Sequence, residues 1–199
     1  QARLIHGPLH KHMQGKVLSE AILPTPKKPA AILTISLDQT GHNFYSNHPD
    51  AWPQIKALQE AGTFYHQAYV DHLESATTVG HVAIGTGAWP KDSGLPSNYF
   101  WSEAIGSYNY GFKENGQASP VWLKSPSFAD IWDKSTQNKA LVISYSYADR
   151  AAMGMAGHGS LYKGGDKDLV YFYDKKHDQL TTNTEFFTLP DYLKSYRAW

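Results

Sequence analysis

The sequence contains no cysteine among its 199 residues. That excludes disulfides, thiolate metal sites and cysteine nucleophiles together. It also lacks an excess of charge of either sign, with 18 Lys and Arg against 18 Asp and Glu. Nucleic-acid binders present a basic surface, so this balance argues against such a partner. No run reaches the roughly 18 apolar residues of a membrane span, so a soluble chain without a span is expected. Present in quantity are 13 Tyr, 6 Trp and 16 Gly, within 41 % hydrophobic residues. This composition excludes a disordered chain and suffices for a sizeable core in one domain or a large piece of one.

The ends have little secretory or tail-like character. The chain opens on Gln1 with no charged segment leading into an apolar stretch, and closes on Tyr196-Arg197-Ala198-Trp199. At the start either a targeting segment has been removed or the sequence begins inside a longer gene, and the closing residues read as a cut. Residues 1–29 carry His6, His10 and His12 and the prolines Pro24, Pro26 and Pro29, which favour an extended leader. His10 and His12 stand two apart, but without a third ligand at suitable spacing they carry no metal reading.

Periodicity then assigns elements. Residues 30–37 form a nearly continuous apolar run, as in a strand buried on both faces of a parallel sheet. Residues 52–61 have helical spacing and Gly62 as a stop. Further strands are expected at 63–69, 140–146, 169–173 and 184–187, and helices at 79–87, 128–134 and 191–196. The stretch 88–127, rich in Gly, Pro, Ser, Asn and Trp, reads as a long loop region. Strands alternating with helices predict an α/β layered fold.

Two places in this pattern could carry chemistry. Asp38 follows the first apolar run, and ligands of open α/β sheets collect at the carboxyl ends of strands. A carboxylate there holds a divalent metal or caps the next turn. Thr77, in Ser75-Ala76-Thr77-Thr78-Val79-Gly80-His81, stands at a helix start. There a hydroxyl is ordinarily an N-cap. It is equally placed as a nucleophile, because free N–H groups and partial positive charge favour a phosphoryl oxygen. A threonine hydroxyl needs activation, and metal coordination provides it without a neighbouring base.

These residues resemble a known family. Leu37-Asp38-Gln39, then Leu58-Gln59-Glu60-Ala61-Gly62-Thr63-Phe64, then Thr77 to Gly87 are similar to the opening of the alkaline phosphatase superfamily. The similarity is to its threonine-nucleophile branch, which includes type I phosphodiesterases and nucleotide pyrophosphatases. The branch pattern falls on Thr77, Gly80, His81, Thr86, Gly87, Pro90, Gly94 and Asn98. Ser144 to Ala152 and Ala156-Gly157-His158 resemble the segment that contacts phosphate in the monoesterase members.

The resemblance implies a three-layer α/β/α fold with a central, largely parallel sheet. Residues 30–199 would be the N-terminal part of such a catalytic domain, with the remaining half missing. It implies two zinc ions per complete site, with Asp38 and Thr77 ligating one of them. Thr77 would attack phosphorus to give a phosphothreonine, Asn98 would donate to a phosphoryl oxygen, and Arg150 would clamp an oxygen pair. The substrate would be a small-molecule phosphate ester, and the location periplasmic or extracellular.

Two departures qualify the expected substrate and site. Ala148 stands where the monoesterase members have a lysine, which moves weight towards diesters. Asp174-Lys175-Lys176-His177-Asp178 reads as a solvated turn and does not supply the remaining zinc ligands. Three functions therefore stay open: phosphomonoesterase, phosphodiesterase or pyrophosphatase, and a phosphate-binding fragment without turnover. His81 reads as a buried imidazole hydrogen-bonded to backbone, and His158 as part of a tight turn and not a catalytic group. The aromatic run between 89 and 110 reads as loop packing ahead of a wall for an aryl or nucleoside group.

Overall fold

The computed structural model describes residues 11–22 and 29–196, so His6, His10 and the prolines at 24 and 26 lie outside the described residues. The chain divides into two compact units, one formed by Lys16–Asp71 and the other by residues up to Gly15 together with His72 onward.

In the Lys16–Asp71 unit, α1 (His42–Asn47) and α2 (Pro53–Ala61) are the α-helices. Pro53 sits at the first position of α2, where a missing N–H costs nothing, and Gly62 ends it as expected. Phe44 and Tyr45 close on Trp52 with ring centroids 5.1 and 5.2 Å away. The apolar run 30–37 is not a strand: its described residues are irregular, and Leu33 and Ile35 are exposed. Residues 63–69 are likewise exposed and irregular. A buried strand needs a hydrogen-bonded neighbour and covering elements, and the described residues of this unit supply neither.

The larger unit contains the sheet. Strand β5 (Ile143–Ser146) pairs parallel with β6 (Leu169–Asp174), and β7 (Gln179–Thr181) adds antiparallel to β6. Helix α6 (Asp149–Ala156) lies in the connection between the parallel strands, making a β–α–β unit. The architecture is α/β, with small sheets of mixed direction. Alternation along β6 buries Val170 and Phe172 under the helices, while Ile143 and Tyr145 of β5 face outward.

Helix α3 (Thr77–Thr86) packs on α6 through glycine. A methyl group at Gly85 would overlap the Gly154 carbonyl oxygen and lie 3.1 Å from Met155 Cα. Two backbones can approach this closely only where neither carries a side chain. Val82, Met153, Ala152, Val170 and Phe187 complete the core around this crossing.

The expected loop 88–127 is more structured than its composition suggests. It contains α4 (Pro90–Ser93), a hairpin of β1 (Tyr99–Ser102) with β2 (Ser107–Tyr110), and a smaller one of β3 (Lys113–Glu114) with β4 (Gln117–Ala118). Tyr99 stacks across the first hairpin on Tyr108 at 5.1 Å. Such cross-strand aromatic pairs favour the hairpin over open loop.

Two of the remaining helices appear where expected, as α5 (Phe128–Ser135) and α7 (Asp191–Lys194). Residues 184–187 are a turn and not a strand. The Phe186 and Phe187 N–H groups donate to the Asn183 carbonyl, which rolls both rings into the core.

Gly85→Ala is expected to lower the melting temperature. Overlap with backbone costs about 1–3 kcal/mol, which outweighs the ~1 kcal/mol that alanine adds to helix propensity. Gly80→Ala is the control, because nothing lies within 4 Å of that position. Thermal melting checks both, and a Gly85→Ala protein as stable as the parent would contradict the packing described.

Candidate active site

Thr77 is the first residue inside α3, and Ala76 ahead of it occupies the N-cap without a capping side chain. Capping therefore does not account for the hydroxyl at 77. The Thr78 N–H is capped from a distance instead, by Asn98 Oδ1 at 2.8 Å. The amide NH2 of Asn98 makes no hydrogen bond among the described residues. It is therefore a free donor beside the positive end of α3.

The residues between Thr77 and Asn98 explain how the chain returns to that helix start. Thr86 Oγ1 donates to the Val82 carbonyl at 2.7 Å and accepts from the Ala88 N–H at 3.0 Å. Gly87 then ends α3 with φ of 68°, a left-handed conformation that favours glycine. Pro90 starts α4, and Gly94 ends it with φ of 79°. His81 is buried, and its Nδ1–H donates to the Thr77 carbonyl at 2.8 Å. These positions are structural. Gly80 is different: open space beside the first turn of α3 gives no packing reason for glycine.

Arg150 is the second residue of α6, half-buried, and its Nε is buried without a partner. It lines a cavity of about 740 Å³ with Lys113, Tyr147, Ala148, Asp174 and Lys175. Thr77 and Asn98 do not line this cavity. Lys113 Nζ pairs with Asp149 at 2.5 Å and brings a cation to the neighbourhood of Ala148. Nothing in the sequence marks Lys113, because it reaches α6 from a short hairpin far away in the chain.

Asp38 lies in the Lys16–Asp71 unit, exposed, in a turn where the Thr40 N–H donates to the Leu37 carbonyl at 3.3 Å. Thr77, Asn98 and Arg150 belong to the other unit. Elsewhere in that unit Asp133, Asp166 and Asp168 form a group able to hold a metal ion, which sequence reading missed because two elements contribute to it. The segment 174–178 is the exposed turn expected, where His177 bonds Asp174 at 2.6 Å and holds its carboxyl below the ordinary value.

His158 is buried and structural. Its backbone N–H donates to Asp130 Oδ1, its Nδ1 to Asp130 Oδ2, and its Nε2 to the Leu123 carbonyl, each at 2.8 Å. Both ring nitrogens face acceptors, so the doubly protonated ring satisfies the site. Burial opposes the charge, but the Asp130 carboxylate outweighs it and the imidazole pKa is raised. Asp130 also closes the capping box of α5 with Ser127.

The model of the type I phosphodiesterase / nucleotide pyrophosphatase family matches residues 32–195. The chain belongs to this family. Among curated proteins it is 25 % identical over 194 residues to a calcium-transporting ATPase of Myroides odoratus, covering 89 % of this chain and 34 % of that protein. It is 28 % identical over 167 residues to the alkaline phosphatase PhoD of Zymomonas mobilis, covering 76 % of this chain and 28 % of that one. The chain thus spans about a third of the length of these relatives.

The crystal structure of the alkaline phosphatase PafA matches with a TM-score of 0.56 at 23 % identity, over 63 % of this chain and 25 % of that one. A form of PafA substituted at a threonine, an asparagine, a lysine and an arginine matches equally. This likeness shows the fold of the family.

The raised His158 pKa fixes a pH dependence. Its charged pair with Asp130 contributes fully below the unfolded value of 6.5 and is lost as pH rises through the higher folded value. The melting temperature should therefore fall as pH rises above 6.5, and fall less steeply in His158→Gln. Melting curves across this range check it, and equal slopes in the two proteins would contradict the assignment.

Proposed function

We propose that the protein hydrolyses phosphate esters through a covalent intermediate on Thr77. The observation that carries this reading is the Asn98–Thr78 hydrogen bond, which brings a free amide donor to the helix start that bears Thr77. Substrate phosphate meets the N-terminus of α3, where N–H groups and the helix dipole favour its charge. The Thr77 oxygen forms a bond to phosphorus while the ester oxygen leaves. Water then cleaves the phosphothreonine, releasing phosphate and restoring the hydroxyl. Asn98 donates to a non-bridging oxygen, and Arg150 supplies a planar pair of donors.

The hydroxyl needs activation, which metal coordination supplies without a neighbouring base. A carboxylate and a hydroxyl are oxygen donors that zinc accepts, so Thr77 suits a zinc ligand by its chemistry, as does the exposed Asp38. Zinc when bound lowers the pKa of a ligating hydroxyl and stabilises charge on oxygen. Gly80 fits the reading by leaving the first turn of α3 open. In the substituted PafA the threonine and asparagine stand at the same separation as Thr77 and Asn98. Export to the periplasm or the exterior accompanies the family reading.

A second reading, phosphodiester or pyrophosphate hydrolysis, is favoured by Ala148, which removes a cation from beside Arg150. Lys113 in the same cavity does not replace that cation as a free charge, because it pairs with Asp149.

Thr77→Ala is expected to lower turnover of a phosphomonoester by about a thousandfold or more, while Thr77→Ser keeps measurable activity. Steady-state assays with p-nitrophenyl phosphate and bis-p-nitrophenyl phosphate check this. Unchanged turnover in Thr77→Ala would contradict the nucleophile assignment, and a higher rate on the diester would select the second reading.

A further inference from the structure

Three carboxylates meet where α5 ends and the chain enters β6, and the reaction above uses none of them. Asp133, in the last turns of α5, is 1 % exposed, and Asp168, just ahead of β6, is 5 % exposed. Asp166 is open to solvent. One oxygen from each lies within 4.8 Å of the other two.

Asp133 Oδ1 is buried and has no hydrogen-bond partner. Its Oδ2 is served by Asn138, whose amide nitrogen, turned towards it, reaches Oδ2 and the Gly164 carbonyl at 3.0 Å each. Among the described residues no lysine, arginine or histidine forms an ion pair with any of the three. The lysines adjacent in sequence to the triad have other contacts: Lys134 lies over the Tyr162 ring at 5.4 Å, and Lys167 donates to the Thr184 carbonyl at 2.5 Å.

This arrangement is repulsive as it stands. The C-terminal end of a helix carries partial negative charge, so a carboxylate in the last turns is unfavourable there. Burial, then the charges of Asp133, Asp166 and Asp130, push the Asp168 carboxyl up to about 8. Burial and the Asp166 charge raise Asp133 as well. A buried, unpartnered carboxylate oxygen costs free energy unless a positive group faces it.

We propose that Asp133, Asp166 and Asp168 bind a hard divalent cation, with Ca2+ the best match. All three donors are carboxylate oxygens, the preference of Ca2+ and Mg2+ and not of softer metals. Ca2+ commonly takes several carboxylate oxygens, whereas Mg2+ usually keeps its waters and takes one or two carboxylates. Three carboxylate oxygens close enough to share one ion therefore suit Ca2+. Exposed Asp166 gives the ion its entry and leaves room for water ligands. Binding would tie the end of α5 to the 164–168 segment that leads into β6.

The test is the melting temperature of the protein with zinc held saturating, with and without Ca2+, compared with Asp166→Asn. Asp166 is exposed, so this variant removes a ligand without opening the core. Calcium at roughly a hundred times its Kd should raise the parent's melting temperature by several degrees. It should raise that of Asp166→Asn much less. No rise in the parent, or an equal rise in both, would overturn the proposal. Calcium-displaceable terbium luminescence gives an independent reading. A single site in the parent that Asp166→Asn and Asp166→Ser both lose supports it, and a signal absent from the parent or retained by both variants overturns it.

Discussion

The near-contact of two backbones at Gly85 and Gly154 is the constraint on which the larger unit depends. It joins the helix that starts with Thr77 to the helix that starts with Asp149 and Arg150. The β–α–β unit around α6 is thereby joined to the segment 77–98 through a crossing that admits no side chain. Helix α3 is a poor helix by itself, with two glycines and three threonines in ten residues. Its stability comes from burial against α6 and not from propensity.

The same economy explains the motif between Thr77 and Asn98. Most of its positions satisfy backbone groups or turn the chain: Thr86 and Gly87 stop α3, Pro90 and Gly94 bound α4, and Asn98 comes back to cap Thr78. What this leaves for chemistry is small. It comprises a hydroxyl at the first helical position, one free amide donor and open space at Gly80. A spacing that looks catalytic as a whole is thus a rigid turn carrying a few chemical groups. Arg150 arrives from a different element, in a cavity where Lys113 is supplied by a hairpin.

How much of this was legible depended on whether the signal was local. Helices α2, α3 and α5 could be read because caps, stops and periodicity lie within each segment, as with Pro53, Gly62 and Gly87. Strands β5 and β6 could be read because their apolar runs do find neighbours. The run 30–37 is at least as apolar as β5 and is no strand, because pairing is a property of partners and not of the run itself. The 99–110 hairpin was missed because its tyrosines and tryptophan sit among residues common in loops. The Asp133–Asp166–Asp168 group and Lys113 were invisible for a related reason, since spatial neighbours from separate elements leave no spacing to read. Thr77 and Asn98 were legible because one short segment holds both.

The central claim is that phosphoryl transfer passes through Thr77. The most direct measurement is an acid quench of the protein turning over a phosphomonoester, followed by proteolysis and mass spectrometry of the peptide that contains residues 75–81. Phosphate on Thr77, formed with substrate and absent without it, is the expected result. Turnover with that peptide unmodified, or with phosphate on a different residue, would contradict the account.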